Sequence, residues 1–301
     1  MKRKSAPNDR PVIDKTIHIP LPENKLKLRT ALVIALIVLA VASFAFGINS
    51  LVGTDAGMAE ITVLSGEMNA GDDFTFYYNL GFGGADATDE RREVRSLYSQ
   101  AATDALEIFS SDVEAEGGGN LYYLNSRPNE DVAVDGALYS ALEQLEGSGT
   151  RYHYLAPLYE QYYAMFNSAS DAEAAEYDPR LNDAQAEFFS QIAAFASDSG
   201  EIALELLGDN KVRLHVSEEY MRFAEANGVT TFIDLTWMKN AFIADYIAQE
   251  LIDAGYTHGA LISDDGFMRC LDDETGAEYS FTFSHRDGTT ITNLSTLQFS
   301  G

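Results

Sequence analysis

The sequence predicts an α+β domain behind one N-terminal transmembrane helix, on three observations. The first is an 18-residue run without a charge, Ala31 to Ile48, close to the length that crosses a bilayer. The second is the placing of alternating, β-rich segments near both ends of the remaining chain, with helical patterns grouped in the middle. The third is the lack of any strand–helix–strand repeat, which excludes a doubly wound parallel sheet.

The N-terminal part follows from charge. Residues 1–30 hold eight basic and three acidic side chains, a net of +5; the other 271 hold 12 basic and 44 acidic, a net of −32. Basic residues before the apolar run and acids after it put the N-terminus in the cytoplasm and the body outside. The expected organisation is a cytoplasmic basic tail at 1–30, a transmembrane signal-anchor at 31–52, a linker and first strand at 53–72, and one domain at 73–301. A cleaved signal peptide is the alternative, but the apolar run exceeds the usual 7–15 residues. The acidic body repels phosphates and excludes a nucleic-acid partner.

Along the body, Ile61–Leu64 and the aromatic Phe74–Tyr78 read as strands. Glu90 to Ser110 has helical spacing through Val94, Leu97, Tyr98, Ala101, Ala105 and Ile108. Three glycines (117–119) break the chain before Asn120–Asn125; Val132–Val134 and a helix from Gly136 to Leu145 follow. Tyr159, Tyr162, Tyr163 and Phe166 recur at i, i+3, i+4, i+7 on a partly helical stretch from Tyr154 to Phe166. Asn182 caps a helix reaching Ala196. Ile202–Leu207 and Val212–Val216 flank Gly-Asp-Asn and form a hairpin. Phe232–Leu235 reads as a strand, Asn240–Ala254 as an amphipathic helix stopped by Gly255, Ala260–Ile262 as a strand before an Asp-Asp-Gly turn, and Tyr279–Phe283 with Thr289–Phe299 as a last hairpin.

Cys270 is the sole cysteine, so no intrachain disulfide forms. The five histidines have no metal-ligand spacing, Gly117–Asn120 is not followed by Lys-Ser/Thr, and no serine nucleophile elbow is present. Zinc, P-loop and serine-hydrolase chemistry are therefore not expected.

Four segments, in order, resemble one enzyme family: Asn120–Asn125, Val132–Asp135 with the helix after it, Ala156-Pro157-Leu158, and the unit from Phe232 to Arg269. The last carries Asp234-Leu235, Asp245, Ala254-Gly255, and the turn Asp265-Gly266-Phe267-Met268-Arg269. This order is similar to that of the FAD:protein FMN transferases, the ApbE-type flavin transferases. The resemblance implies a bacterial, extracytoplasmic enzyme anchored in the cell membrane that uses FAD and Mg²⁺ to pass FMN to a threonine of a flavin-accepting protein. It implies catalytic roles for Asp234, Lys239 and Asp245, and cofactor contacts from Asn125, Tyr123, Pro157, Thr236, Asn240, Gly266 and Arg269. The metal ligands are unknown.

The departures are specific. Where the family reads Asp-Leu-Gly-Gly-Ile-Ala-Lys-Gly, this chain has Thr236 and Trp237 for the two glycines, Lys239 one place early, and Ala241 for the third glycine. Trp237 is expected to obstruct a pyrophosphate, and Asp264 and Asp265 to repel one without an intervening cation. Family members continue past a Thr-Ser-Gly segment, echoed by Phe299-Ser300-Gly301, into a part bearing Asp and Thr near Mg²⁺. A truncated member is therefore one expectation. A catalytically degenerate flavin- or partner-binding domain at the cell surface is the alternative. Each site residue also has a structural reading: Asp234 a turn acid, Asp245 and Lys239 solvated helix charges, Asn125 a turn cap, Arg269 an ion-pair partner, and the tyrosines core and rim.

Overall fold

Strict alternation builds the first sheet. β1 (Gly57–Ile61) pairs antiparallel with β2 (Phe74–Leu80), where Phe74, Phe76, Tyr78 and Leu80 point inward and the residues between them do not. The computed structural model describes residues 56–64, 68–115, 117–271, 278–287 and 290–300, all belonging to one unit, Thr54–Gly301. The basic tail and the expected membrane helix at 31–52 lie outside the described residues. Among the described residues, no helix is long and apolar enough to cross a membrane.

The fold is mixed α+β. α1 (Ala87–Phe109) starts at Asp86, whose carboxylate accepts from the amides of Thr88 and Asp89, and it buries Val94, Tyr98, Ala101, Ala105 and Phe109 along one stripe. After α2 (Leu121–Asn125) come β3 (Asp131–Ala133), α3 (Gly136–Ser148), α4 (Ala156–Phe166), α5 (Asp171–Tyr177) and α6 (Asp183–Ser197). β4 (Ile202–Gly208) and β5 (Lys211–Val216) form a hairpin closed by Asp209 and Asn210, both at positive φ (51° and 56°). That is the backbone of a primed turn, which matches strand twist. β5 also pairs with β3, giving a three-stranded antiparallel sheet in the order β3-β5-β4.

α7 (Glu218–Asn227) follows, and a 3-10 turn (Thr236–Met238) leads into α8 (Lys239–Asp253). β6 (Gly259–Ser263) lies beside β2, and β7 (Met268–Cys270) beside β6, completing the sheet β1-β2-β6-β7. α8 packs on α1 through Ile243, Ala244, Ile247 and Leu251, with the Phe242 ring stacked 6.3 Å from Phe109. β8 (Glu278–Asp287) and β9 (Thr290–Ser300) make the expected last hairpin.

Two strand expectations are corrected. The first strand is Gly57–Ile61 rather than Ile61–Leu64, because the carbonyls of Thr62 and Val63 are taken by the Arg95 guanidinium (2.9 and 3.0 Å) instead of a strand. Phe232–Leu235 is no strand, although Phe232, Ile233 and Leu235 are buried. Its backbone groups bond to a side chain, Asn125, rather than to a ladder neighbour.

Candidate functional site

Asn125 ends the short helix α2 and is 4% exposed. Its Oδ1 accepts from the amides of Phe232 (2.9 Å) and Ile233 (3.0 Å), while its Nδ2 donates to the carbonyls of Ile233 (2.9 Å) and Leu121 (3.2 Å). All four hydrogen-bonding positions of the amide are used by backbone. Asn125 therefore acts as a clamp on the segment that carries Asp234.

Asp234 is positioned from three sides. Its amide donates to the His153 carbonyl at 3.0 Å, one carboxylate oxygen accepts from the Thr236 amide, and the other accepts from the Ser111 hydroxyl. His153 is fully buried, with Nε2 3.1 Å from Glu146 Oε1 and its ring 3.9 Å from that of Tyr154. Burial pushes its pKa down, against an upward pull from Glu146. The Tyr154 hydroxyl donates to the same Glu146 oxygen (2.8 Å) and accepts from the Leu204 amide (2.7 Å). The Asp234 backbone is thus tied to the three-stranded sheet through His153, Glu146 and Tyr154.

Thr236 has φ +45°, in the left-handed region that disfavours a β-branched residue. Its backbone holds a conformation suited to glycine. The Thr236 hydroxyl is buried and makes no hydrogen bond of normal geometry. It lies at a cavity of about 410 Å³ with Leu155, Leu158, Tyr159, Tyr162, Tyr163 and Phe189. The tyrosines at helical spacing are therefore the wall of a cavity, with Tyr162 and Tyr163 at 52% and 55% exposed on its rim.

The field around this cavity is negative. Burial raises the Tyr163 phenol pKa, and Asp234 and Asp265 raise it further; Tyr159 is raised chiefly by burial, with the neighbouring Thr236 hydroxyl opposing. Glu160 is raised first by burial and then by Asp112 and Asp234, against a lowering bond from Thr231. Asp73 is raised by burial and by Asp264, with Lys239 pulling it down. The Asp264 amide donates to the Asp73 carbonyl (3.0 Å), which pins the β6–β7 turn to the start of β2. Gly266 supplies the φ of +98° that this turn needs.

The other expected site residues lie apart from the cavity wall. Asp245 and Arg269 meet each other, Nε to Oδ1 at 3.4 Å, with side chains 65% and 49% exposed. Tyr123 carries the Arg127 guanidinium 4.3 Å above its ring. Pro157 is buried in the first turn of α4, where its missing N–H costs nothing. Lys239 and Asn240 are half-buried in the first turn of α8. The Trp237 side chain lies outside the described residues. Among the described residues, no three His, Cys, Asp or Glu side chains are grouped to hold a metal ion. A second cavity of about 660 Å³ opens between α2, α7 and Phe232, on whose wall Arg222 and Glu225 stand.

Sequence reasoning missed Ser111, His153 and Glu146, which position Asp234 from far along the chain. Comparison with protein-family models gives no match, and no characterised protein matches the chain.

Proposed function

We propose that this domain binds flavin, as a flavin-transferase-like module that keeps the ring-binding end of the site while its transfer chemistry is reduced. The observation that carries this reading is the tyrosine-lined cavity at Thr236, a residue held in a glycine-like conformation directly after Asp234. A cavity of about 410 Å³ suits the flat isoalloxazine part of FAD, and tyrosine faces stack on such rings.

The fit at the phosphate end is poorer. Asp264, Asp265 and Asp73 repel a diphosphate, and Lys239 is the cation set against them. The residues present do not preassemble a Mg²⁺ site, and no step is derived through that ion. Bound FAD supplies the pyrophosphate whose cleavage releases FMN. The chain's own residues orient the ring: Leu155, Leu158 and Phe189 exclude water, and Asn125 and Ser111 fix the segment that leads through Asp234 to Thr236 on the cavity wall. In this reading the module is displayed outside the cell by the apolar run at 31–52.

One observation favours the catalytic reading. Asp234 is a fixed carboxylate two residues before Thr236 on the cavity wall, a group of the kind that takes a hydroxyl proton. A titration of FAD followed by flavin fluorescence tests the binding, with intact-mass analysis after adding Mg²⁺ and a flavin-accepting protein. Saturable quenching that is lost in Tyr163→Ala is expected. No quenching up to about 1 mM FAD, an affinity near −4 kcal/mol, overturns the reading. An added FMN that disappears in Asp234→Ala makes the domain an active transferase.

A further inference from the structure

The cavity's aromatic wall continues outward. On α4, Tyr162, Tyr163 and Phe166 are 52%, 55% and 75% exposed, and the Tyr162 and Phe166 rings stack at 6.5 Å. Exposed rings on one helix face, next to a cavity, mark a place where something docks. At the base of the same cavity, the buried Thr236 hydroxyl makes no hydrogen bond of normal geometry and lies beside the Tyr159 phenol.

Charge identifies the chemistry of what docks on this rim. Asp234 and Asp265 both act on Tyr163, and Asp264, Asp265 and Asp72 act on Asp73 against the single opposing cation Lys239. Aromatic faces attract ammonium and guanidinium groups, and carboxylates around them strengthen the attraction. An anionic lipid surface or a nucleic acid is repelled by the same field. A bound flavin diphosphate makes it more negative still.

We infer that the partner docking over this cavity is a cationic protein segment, whose Lys or Arg side chains lie on Tyr162, Tyr163 and Phe166 and reach the Asp264–Asp265 turn. The inference rests on the flavin reading for what fills the cavity beneath the partner. The rim's charge and its rings stand without that reading.

The test uses the full chain in a neutral detergent, with three labelled peptides of equal length: Lys-rich, Glu-rich and uncharged. Binding is followed by fluorescence anisotropy with and without FAD, and FAD binding is followed separately by flavin fluorescence. The Lys-rich peptide is expected to bind at least about tenfold tighter than the uncharged one. That advantage collapses as salt rises from about 0.05 to about 0.5 M, because exposed charges are screened. Asp264→Asn with Asp265→Asn weakens the Lys-rich peptide about threefold or more, and Phe166→Ser weakens it without changing the salt slope.

Lys-rich binding without any FAD quenching sinks the flavin reading and leaves the cationic partner standing. FAD quenching with no preference among the peptides overturns the partner inference and leaves the flavin reading. Free arginine or tetramethylammonium binding as tightly as the Lys-rich peptide makes this a small-cation site and also overturns it.

Discussion

Thr236 holds φ at +45° between Leu235 and the 3-10 turn that opens α8, and replacing it separates backbone strain from side-chain packing. A residue with a Cβ loses about 1–2 kcal/mol in the left-handed region. Glycine escapes that loss but gives back about 0.5–1 kcal/mol through its freer unfolded chain. Both variants lose the γ-methyl and the hydroxyl, and those losses cancel from the comparison. The glycine variant also loses the buried Cβ, about 0.8 kcal/mol. Thr236→Gly and Thr236→Ala are therefore expected to be level within about 0.7 kcal/mol, whereas at an ordinary φ alanine leads by about 1.5 kcal/mol. For a unit of this size, 1 kcal/mol moves the melting temperature by about 2–4 °C. Calorimetric melts should place the two variants within about 2 °C of each other. An alanine variant leading by about 4 °C or more would show that position 236 is not left-handed, and the glycine-like turn after Asp234 would go with it.

Other outcomes follow from the same contacts. Asn125→Ala leaves the amides of Phe232 and Ile233 and the Ile233 carbonyl buried without partners; at about 1–3 kcal/mol each, urea unfolding should show a loss of about 3 kcal/mol or more. A loss below about 1 kcal/mol would mean that water replaces the clamp. His153, held below its ordinary pKa by burial, stays neutral in the fold while the unfolded chain takes up a proton near pH 6.5. Its contribution is therefore full above that pH and lost as pH falls toward the folded pKa, at up to about 1.4 kcal/mol per pH unit. Asp73 and Glu160, with raised pKa values, act in the opposite sense, so the comparison of wild type with His153→Gln across pH 7.5 to 5 isolates the histidine; parallel curves would reject its role. For the exposed Asp245–Arg269 pair, Arg269→Ala should change stability by less than about 1 kcal/mol. A larger loss in thermal melts would show that this pair is more than a surface contact.

Much of the site's framework was readable from local pattern. The alternation of Phe74, Phe76 and Tyr78, the Gly208-Asp209-Asn210 turn, the cap at Asn182 and the tyrosine spacing on α4 all produced the elements they predict. Two readable signals were passed over. At the start of α5 the Ser170 hydroxyl accepts from the Glu173 amide while the Glu173 carboxylate accepts from the Ala169 amide, and Ser217 accepts from the Tyr220 amide at the start of α7. Both helices were absent from the sequence reading.

The sequence by itself determined an acidic α+β body, its strongest helices and hairpins, and the helical face that carries the tyrosines. Those follow from spacing and capping, which act within a few residues. Only the tertiary structure decided that Phe232–Leu235 is no strand, since its apolar run fits the strand template equally well and what differs is the partner. That partner is a side chain 107 and 108 residues away, and the hydroxyl that orients Asp234 is 123 residues away. Tertiary packing likewise set Arg269 against Asp245 and gathered Asp73, Asp264 and Asp265 into one field. Hydrogen-bond and charge partners at such separations depend on how layers pack, and no local period encodes them.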